Sequence, residues 1–152
     1  RLIKKVDELK ASGSIKDEVF IQTGFSTYTP TSCRSVPLLG ANEMEELINS
    51  ARIVITHGGP ASFLAPLRKG KIPIVVPRMK AYDEHVNDHQ VAFTRTVAQR
   101  QHNIILVEDI SELGDTINHY DEITSRLKAG SVCNTDHFTA ELEKMVFEMF
   151  SK

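Results

Sequence analysis

Apolar positions recur at helical spacing at the start of the chain. Leu2, Ile3, Val6 and Leu9 share one face, and Ser12-Gly13-Ser14 ends the run. Glu18 to Thr23 is short and β-rich, and Cys33 to Leu38 reads as a second short strand before Gly40. Asn42, with Glu45 three residues on, has the spacing of a capping box. The helix behind it buries Met44, Leu47, Ile48 and Ala51. Ile53-Val54-Ile55 is a brief, wholly apolar run, the pattern of a buried parallel strand. Ala61 to Lys69 reads as a helix stopped by Gly70, and Ile72 to Val76 as the next strand, ended by Pro77. A polar loop from Arg78 to Glu84 leads into a helix over about Val86 to Gln101, followed by a strand at Ile104 to Val107. Ile110 to Leu127 is expected to be helical on a weaker pattern. A last helix from Asp136 to Phe150 carries Phe138, Leu142, Met145, Val146, Met149 and Phe150.

Strands that are continuous apolar runs, alternating with helices, predict an α/β fold: a Rossmann-like, mainly parallel sheet with helices on both faces. There is no internal repeat or linker, so residues 1–152 are expected to form a single domain. The chain opens on Arg1 already inside a helix, which reads as a segment whose natural start lies upstream.

Composition narrows the function classes. The chain is 41% hydrophobic and 25% charged with net charge −2, which gives no electrostatic case for nucleic acid. No apolar run approaches the ~20 residues of a membrane span. The two cysteines, Cys33 and Cys133, fit neither a zinc pattern nor a disulfide framework, so a reduced, cytoplasmic compartment is expected.

Ligands of parallel sheets sit at the carboxyl ends of the strands. The segment Thr56-His57-Gly58-Gly59-Pro60-Ala61-Ser62 follows such a strand and opens a helix. Two glycines allow close backbone approach, and proline suits the first helical turn. The amides of Ala61 and Ser62, the Ser62 hydroxyl and the helix dipole would then favour an anion. The bland reading is a tight turn and nothing more. His57 suits a catalytic base, since histidine titrates near pH 6.5, and equally suits a cap on its own turn. His85 and His89 are four apart and would share a helix face, with His57, Asp83 and Glu84 as further ligands of a metal, but the spacing alone is a weak signal and no metal is expected. Solvated polar residues at a helix start explain the cluster as well. His102, His119 and His137 carry no assignment. Ser62 lacks a nucleophile elbow, and Lys69-Gly70-Lys71 lacks the upstream glycine of a phosphate loop.

The strings THGGPAS, GKIPIVVP and DEHVNDHQ, in that order, resemble the C-terminal half of GT-B UDP-sugar transferases. The chain is most similar to the small catalytic subunit of two-part exopolysaccharide and capsule β-1,4-galactosyltransferases, and is also similar to the soluble subunit of the dolichol-linked N-acetylglucosaminyltransferase. The likeness runs from Glu18 to about Ile110. It implies a GT-B C-terminal fold that lacks its first central strand in this chain, an arrangement expected to be poorly soluble alone. It implies that Gly58, Gly59 and Ser62 hold the donor diphosphate, and that Glu84, His85, Asn87, His89 and Gln90 bind the transferred sugar. Thr23, Gly24 and Arg78 would line the nucleotide site, and His57 and Glu84 would be the catalytic candidates. Where many relatives bind the ribose through glutamate, this chain has Ala65 followed by Pro66.

The resemblance further implies inverting transfer from a UDP-sugar to a lipid-linked saccharide in polysaccharide biosynthesis, with no cofactor or metal. A membrane-anchored, acceptor-binding partner subunit would complete the enzyme and hold it peripherally at the membrane, with Phe147, Met149 and Phe150 as docking positions. A non-catalytic sugar-nucleotide-binding module is the alternative, separated by whether binding is followed by transfer. An epimerase is disfavoured, because those enzymes need two full domains.

Overall fold

The sequence Ile72-Pro73-Ile74-Val75-Val76-Pro77 has no polar position because both of its faces are covered. In the computed structural model, which describes residues 1–130, 141–142 and 144–147, Ile74 and Val76 point into one apolar cluster and Val75 into another. The first cluster joins them to Ile105 and Val107, and to Val6, Leu113, Ile117 and Tyr120 from helices on that face. The second packs Val75 against Phe63, Phe93, Val97 and Leu142. Strand alternation thus sends successive residues to opposite helix layers.

The elements run α1 (Leu2–Ala11), β1 (Phe20–Gln22), β2 (Arg34–Val36), α2 (Ala41–Ser50), β3 (Ile55–Thr56), α3 (Pro60–Arg68), β4 (Ile74–Val75), α4 (His89–Gln101), β5 (Ile105–Leu106), α5 (Leu113–Asn118) and α6 (Tyr120–Gly130). Residues 141–142 and 144–147 are also helical. Among the described residues all strand pairs are parallel, and the sheet is in two pieces, β1-β2 and β3-β4-β5. Arg52, just ahead of β3, pairs with Asp17, just ahead of β1. The strands of both pieces therefore start at one end, and the loops that follow them gather at the other.

Several expectations change in the folded chain. The cap of α2 is Gly40, whose amide donates to Glu43 Oε2 at 3.1 Å, and Glu45 pairs with Lys69 instead. The register moves because glycine enters the helix in extended backbone while Asn42 already lies inside it. The third strand is centred on Ile55–Thr56 and is only half-buried, since β3 is an edge of its piece. α4 begins at His89, not near Val86: the preceding residues fold on themselves, with Asp83 left-handed at φ 54° and Asp88 Oδ1 accepting from the Lys80 amide at 2.8 Å. The stretch after Ile110 is broken into a 3-10 turn, α5 and α6, with His119 between the helices. The buried Tyr120 hydroxyl donates to Ile72 O at 2.7 Å and ties α6 to the head of β4. Of the last expected helix, Leu142 is fully buried, while Cys133, His137, Phe138, Met149 and Phe150 lie outside the described residues.

Candidate functional site

The turn between β3 and α3 is built by its own histidine. His57 Nδ1 accepts from the Gly59 amide at 2.9 Å, and Nε2 lies 2.9 Å from Ser62 Oγ. Because Nδ1 accepts, the proton of the neutral ring is on Nε2, which donates to the serine oxygen. The Ser62 hydroxyl hydrogen is then free to point at a ligand. In this arrangement neither ring nitrogen keeps a lone pair for a substrate proton. Burial, followed by the charges of Arg78 and His85, holds the His57 pKa below its usual 6.5. His57 is the internal cap of the turn.

The two glycines serve close packing. A Cβ on Gly58 would stand 3.0 Å from Thr94 Cγ2 and 3.1 Å from both Gln90 Cβ and Pro77 Cβ. The turn is pressed against the end of β4 and the first turn of α4. A Cβ on Gly59 would meet His57 Cε1 at 2.5 Å. Pro60 occupies the first helical position, as the sequence leads one to expect. The Ser62 amide, expected to face a ligand, instead donates back to Gly59 O at 3.0 Å. That leaves the Ala61 amide, the Ser62 hydroxyl and the helix dipole to meet an anion.

Arg78 completes the candidate cradle. It lies close enough to His57 to affect its titration, and its amide donates to Gln90 Oε1 at 3.1 Å. Its Nε is buried without a hydrogen-bond partner, and no carboxylate pairs with it among the described residues. An unpaired guanidinium nitrogen out of water costs roughly 1–3 kcal/mol until an acceptor arrives.

The remaining expected site residues divide. His85 stays near His57, and its Nδ1 accepts from the Asn87 amide at 3.4 Å. Asn87 Oδ1 accepts from the His89 amide at 3.2 Å, a local turn bond across Asp88, the N-cap residue of α4. His89 is exposed. His85, ahead of α4, does not share a helix face with it. Gln90 is buried under the turn, with its side-chain oxygen accepting from the Arg78 amide. Glu84 takes two bonds from the Arg1 guanidinium, at 3.1 and 2.9 Å, and one from the Met79 amide at 3.2 Å. Burial works to raise its pKa, but these donors outweigh it and keep the carboxylate ionised. Thr23 and Gly24 follow β1, with their amides tied to Val36 O and Pro37 O. No hydrogen bond connects them to the turn among the described residues. Arg1 and Thr94 had no signal in the sequence pattern, since one is a single charge at the head of α1 and the other a threonine inside a helix.

His57 gives the site a pH dependence. Its folded pKa lies below the unfolded 6.5, so the unfolded chain binds the proton more readily. Stability that is fully present above pH ~6.5 is therefore lost as the pH falls through the folded value. Chemical denaturation between pH 8 and pH 5 is expected to show this loss, and His57→Asn to flatten it.

No curated protein and no solved structure matches the chain significantly. The family model described as Glycosyltransferase family 28 C-terminal domain matches residues 1–146. That span takes in the cradle at the start of α3, the loop after β4 and the two helix layers that hold them, and the chain belongs to this glycosyltransferase family.

Proposed function

We propose that the chain is the donor-binding part of an inverting glycosyltransferase that takes a UDP-sugar and passes its hexose to a lipid-linked saccharide. The observation that carries this reading is the partnerless Arg78 Nε, on a side chain whose charge acts on His57, at the turn where Ser62 offers a free hydroxyl hydrogen. A diphosphate answers all three features: guanidinium, hydroxyl and helix dipole. In the transfer, an acceptor oxygen forms a bond to the anomeric carbon as the bond from that carbon to the β-phosphate oxygen breaks. The leaving UDP gains negative charge, and fixed donors stabilise it without requiring a metal. Gln90, His85 and Asn87 would meet the sugar.

The acceptor proton needs a base. With the lone pairs of His57 spent inside its turn and Glu84 paired to Arg1, the reading assigns that base and the acceptor to a partner subunit anchored in the membrane. No helix among the described residues is long and apolar enough to cross a membrane. Phe147 is 74% exposed, beside an apolar groove of about 330 Å³ lined by Pro60, Ala61, Leu64, Leu142 and Val146. This groove adjoins the cradle and suits a docking partner. The enzyme would then sit at the cytoplasmic face of the membrane through that partner.

Calorimetric titration with UDP, four UDP-sugars (galactose, glucose, N-acetylglucosamine, glucuronate) and ATP tests the donor assignment. UDP is expected to bind with a clear preference over ATP. Ser62→Ala should weaken it about 5-fold and Arg78→Ala about 10- to 100-fold, the range for hydrogen bonds to a charged group. Equal binding of UDP and ATP would sink the reading. Binding without transfer in the presence of the partner would leave a sugar-nucleotide-binding module.

A further inference from the structure

The loop between β4 and α4 carries Arg78 at its start and leads to Gln90 in the first turn of α4, and its own hydrogen bonds fold Met79 to Glu84 into a tight turn. Two of its acidic side chains turn inward: Asp88 takes the Lys80 amide and Glu84 takes the Met79 amide. What fixes Glu84 lies far away in sequence. The guanidinium of Arg1, at the N-terminus of α1, donates through Nε and Nη2 to both Glu84 oxygens. The same Nη2 donates to Pro77 O at 2.8 Å, and Nη1 reaches Glu108 O at 3.4 Å. Its carbon lies 4.4 Å from the centre of the Tyr82 ring. One side chain therefore gathers the ends of β4 and β5, the carboxylate of the loop and its aromatic residue. The pair is largely out of water, with 13% of the Arg1 side chain and 16% of the Glu84 side chain exposed.

From this geometry we infer that Arg1 is a positioning residue of the donor site, acting through Glu84 to hold the loop that presents Arg78. The inference rests on the donor reading above, because it gives Arg78 a diphosphate to meet. Glu84 is then the counterpart of the latch and does not touch the sugar. A lysine cannot replace Arg1, because a single ammonium cannot meet the two carboxylate oxygens in a fork while also reaching both carbonyls.

Hydrogen exchange and UDP titration on the full chain test the latch and its consequence separately. In Arg1→Ala, exchange at the Met79 and Glu84 amides should quicken. UDP affinity should fall about 10-fold while UMP affinity changes little, because the lost contact is the one Arg78 makes with the diphosphate. Adding Arg78→Ala to Arg1→Ala should cost less than it does in the wild-type background, a non-additivity that general loss of stability does not produce. Arg1→Lys should restore the exchange and the affinity only in part. A quickened loop with unchanged UDP affinity overturns the positioning role, as does equal weakening of UDP and UMP. Unchanged exchange overturns the latch itself. A wild-type protein that binds no UDP defeats the donor reading and this role with it, and the exchange data then still decide whether Arg1 holds the loop.

Discussion

Gly59→Ala is expected to weaken UDP binding by about 100-fold while leaving the fold intact. The backbone of Gly59, at φ −73° and ψ 131°, is open to any residue, so the effect does not come from strain in the chain. It comes from the ring of His57. The new methyl would stand 2.5 Å from Cε1 and 3.0 Å from Nδ1, closer than non-bonded carbon atoms tolerate. The ring must swing away, and it then gives up both the Gly59 amide and Ser62 Oγ. Without the histidine, Ser62 is no longer turned outward as a donor, and the displaced imidazole intrudes on the space proposed for the phosphates. Loss of the Ser62 donor accounts for about 5-fold of this, and the imidazole displaced into the anion site for the remaining roughly 20-fold. Titration of UDP against the variant measures it. The decisive control is the same change beside His57→Ala, where the methyl meets no ring and should add less than about 3-fold. A full additional loss in that background would show that the glycine matters for some other reason.

The second large effect is on stability. Asp7 is 2% exposed on α1, and every bond it makes goes to the connection between β1 and β2. It accepts from the Tyr28 hydroxyl at 2.8 Å, the Thr31 amide at 3.0 Å, the Thr31 hydroxyl at 3.4 Å and the Ser32 amide at 2.8 Å. No cation pairs with it among the described residues, so this buried charge is held by donors alone. The Thr31 amide leads in pulling its pKa down to about 2; burial opposes, and the Ser32 amide, the Tyr28 hydroxyl and the Cys33 thiol add to the pull. The Cys33 thiol, through burial first and then its bond to Asp7, is pushed up to about 11. Asp7→Ala is expected to lower the melting temperature by roughly 10 °C or more, because several donors lose their only acceptor together. The folded pKa is depressed, so the stabilisation is complete above the unfolded value of about 4 and disappears as the pH falls toward 2. Thermal melts at pH 7 and pH 2.5 should separate wild type from Asp7→Ala widely at the first and far less at the second. A difference independent of pH would mean that the carboxylate's charge plays no part.

The legibility of this chain in its sequence follows the range of the forces involved. The α/β alternation, the glycine-proline turn and the apolar strand at Ile74–Val75 are local patterns, set by periodicity and by backbone freedom that a residue carries wherever it stands. They were readable. Helix starts were less so, because the Gly40 cap and the Asn87 turn ahead of α4 depend on which backbone donor is left over once the chain has turned. Charged residues were the least readable. Glu84 stands in a polar cluster that resembles a sugar-binding motif, yet its partner is 83 positions away in the sequence.

By itself the sequence determined that His57, Gly58, Gly59, Pro60 and Ser62 lie on one strand-to-helix turn, because their spacing fixes that geometry over a few ångströms. Only the tertiary structure decided what each of them does there. The ring of His57 closes inward because Gly59 leaves it room, and Gly58 is fixed by Thr94, Gln90 and Pro77, none of them its neighbours in sequence. Glu84 is bound by Arg1, and no carboxylate pairs with Arg78 among the described residues. Hydrogen bonds and ion pairs are saturable, so the role of a polar side chain is settled by which partners reach it first in space.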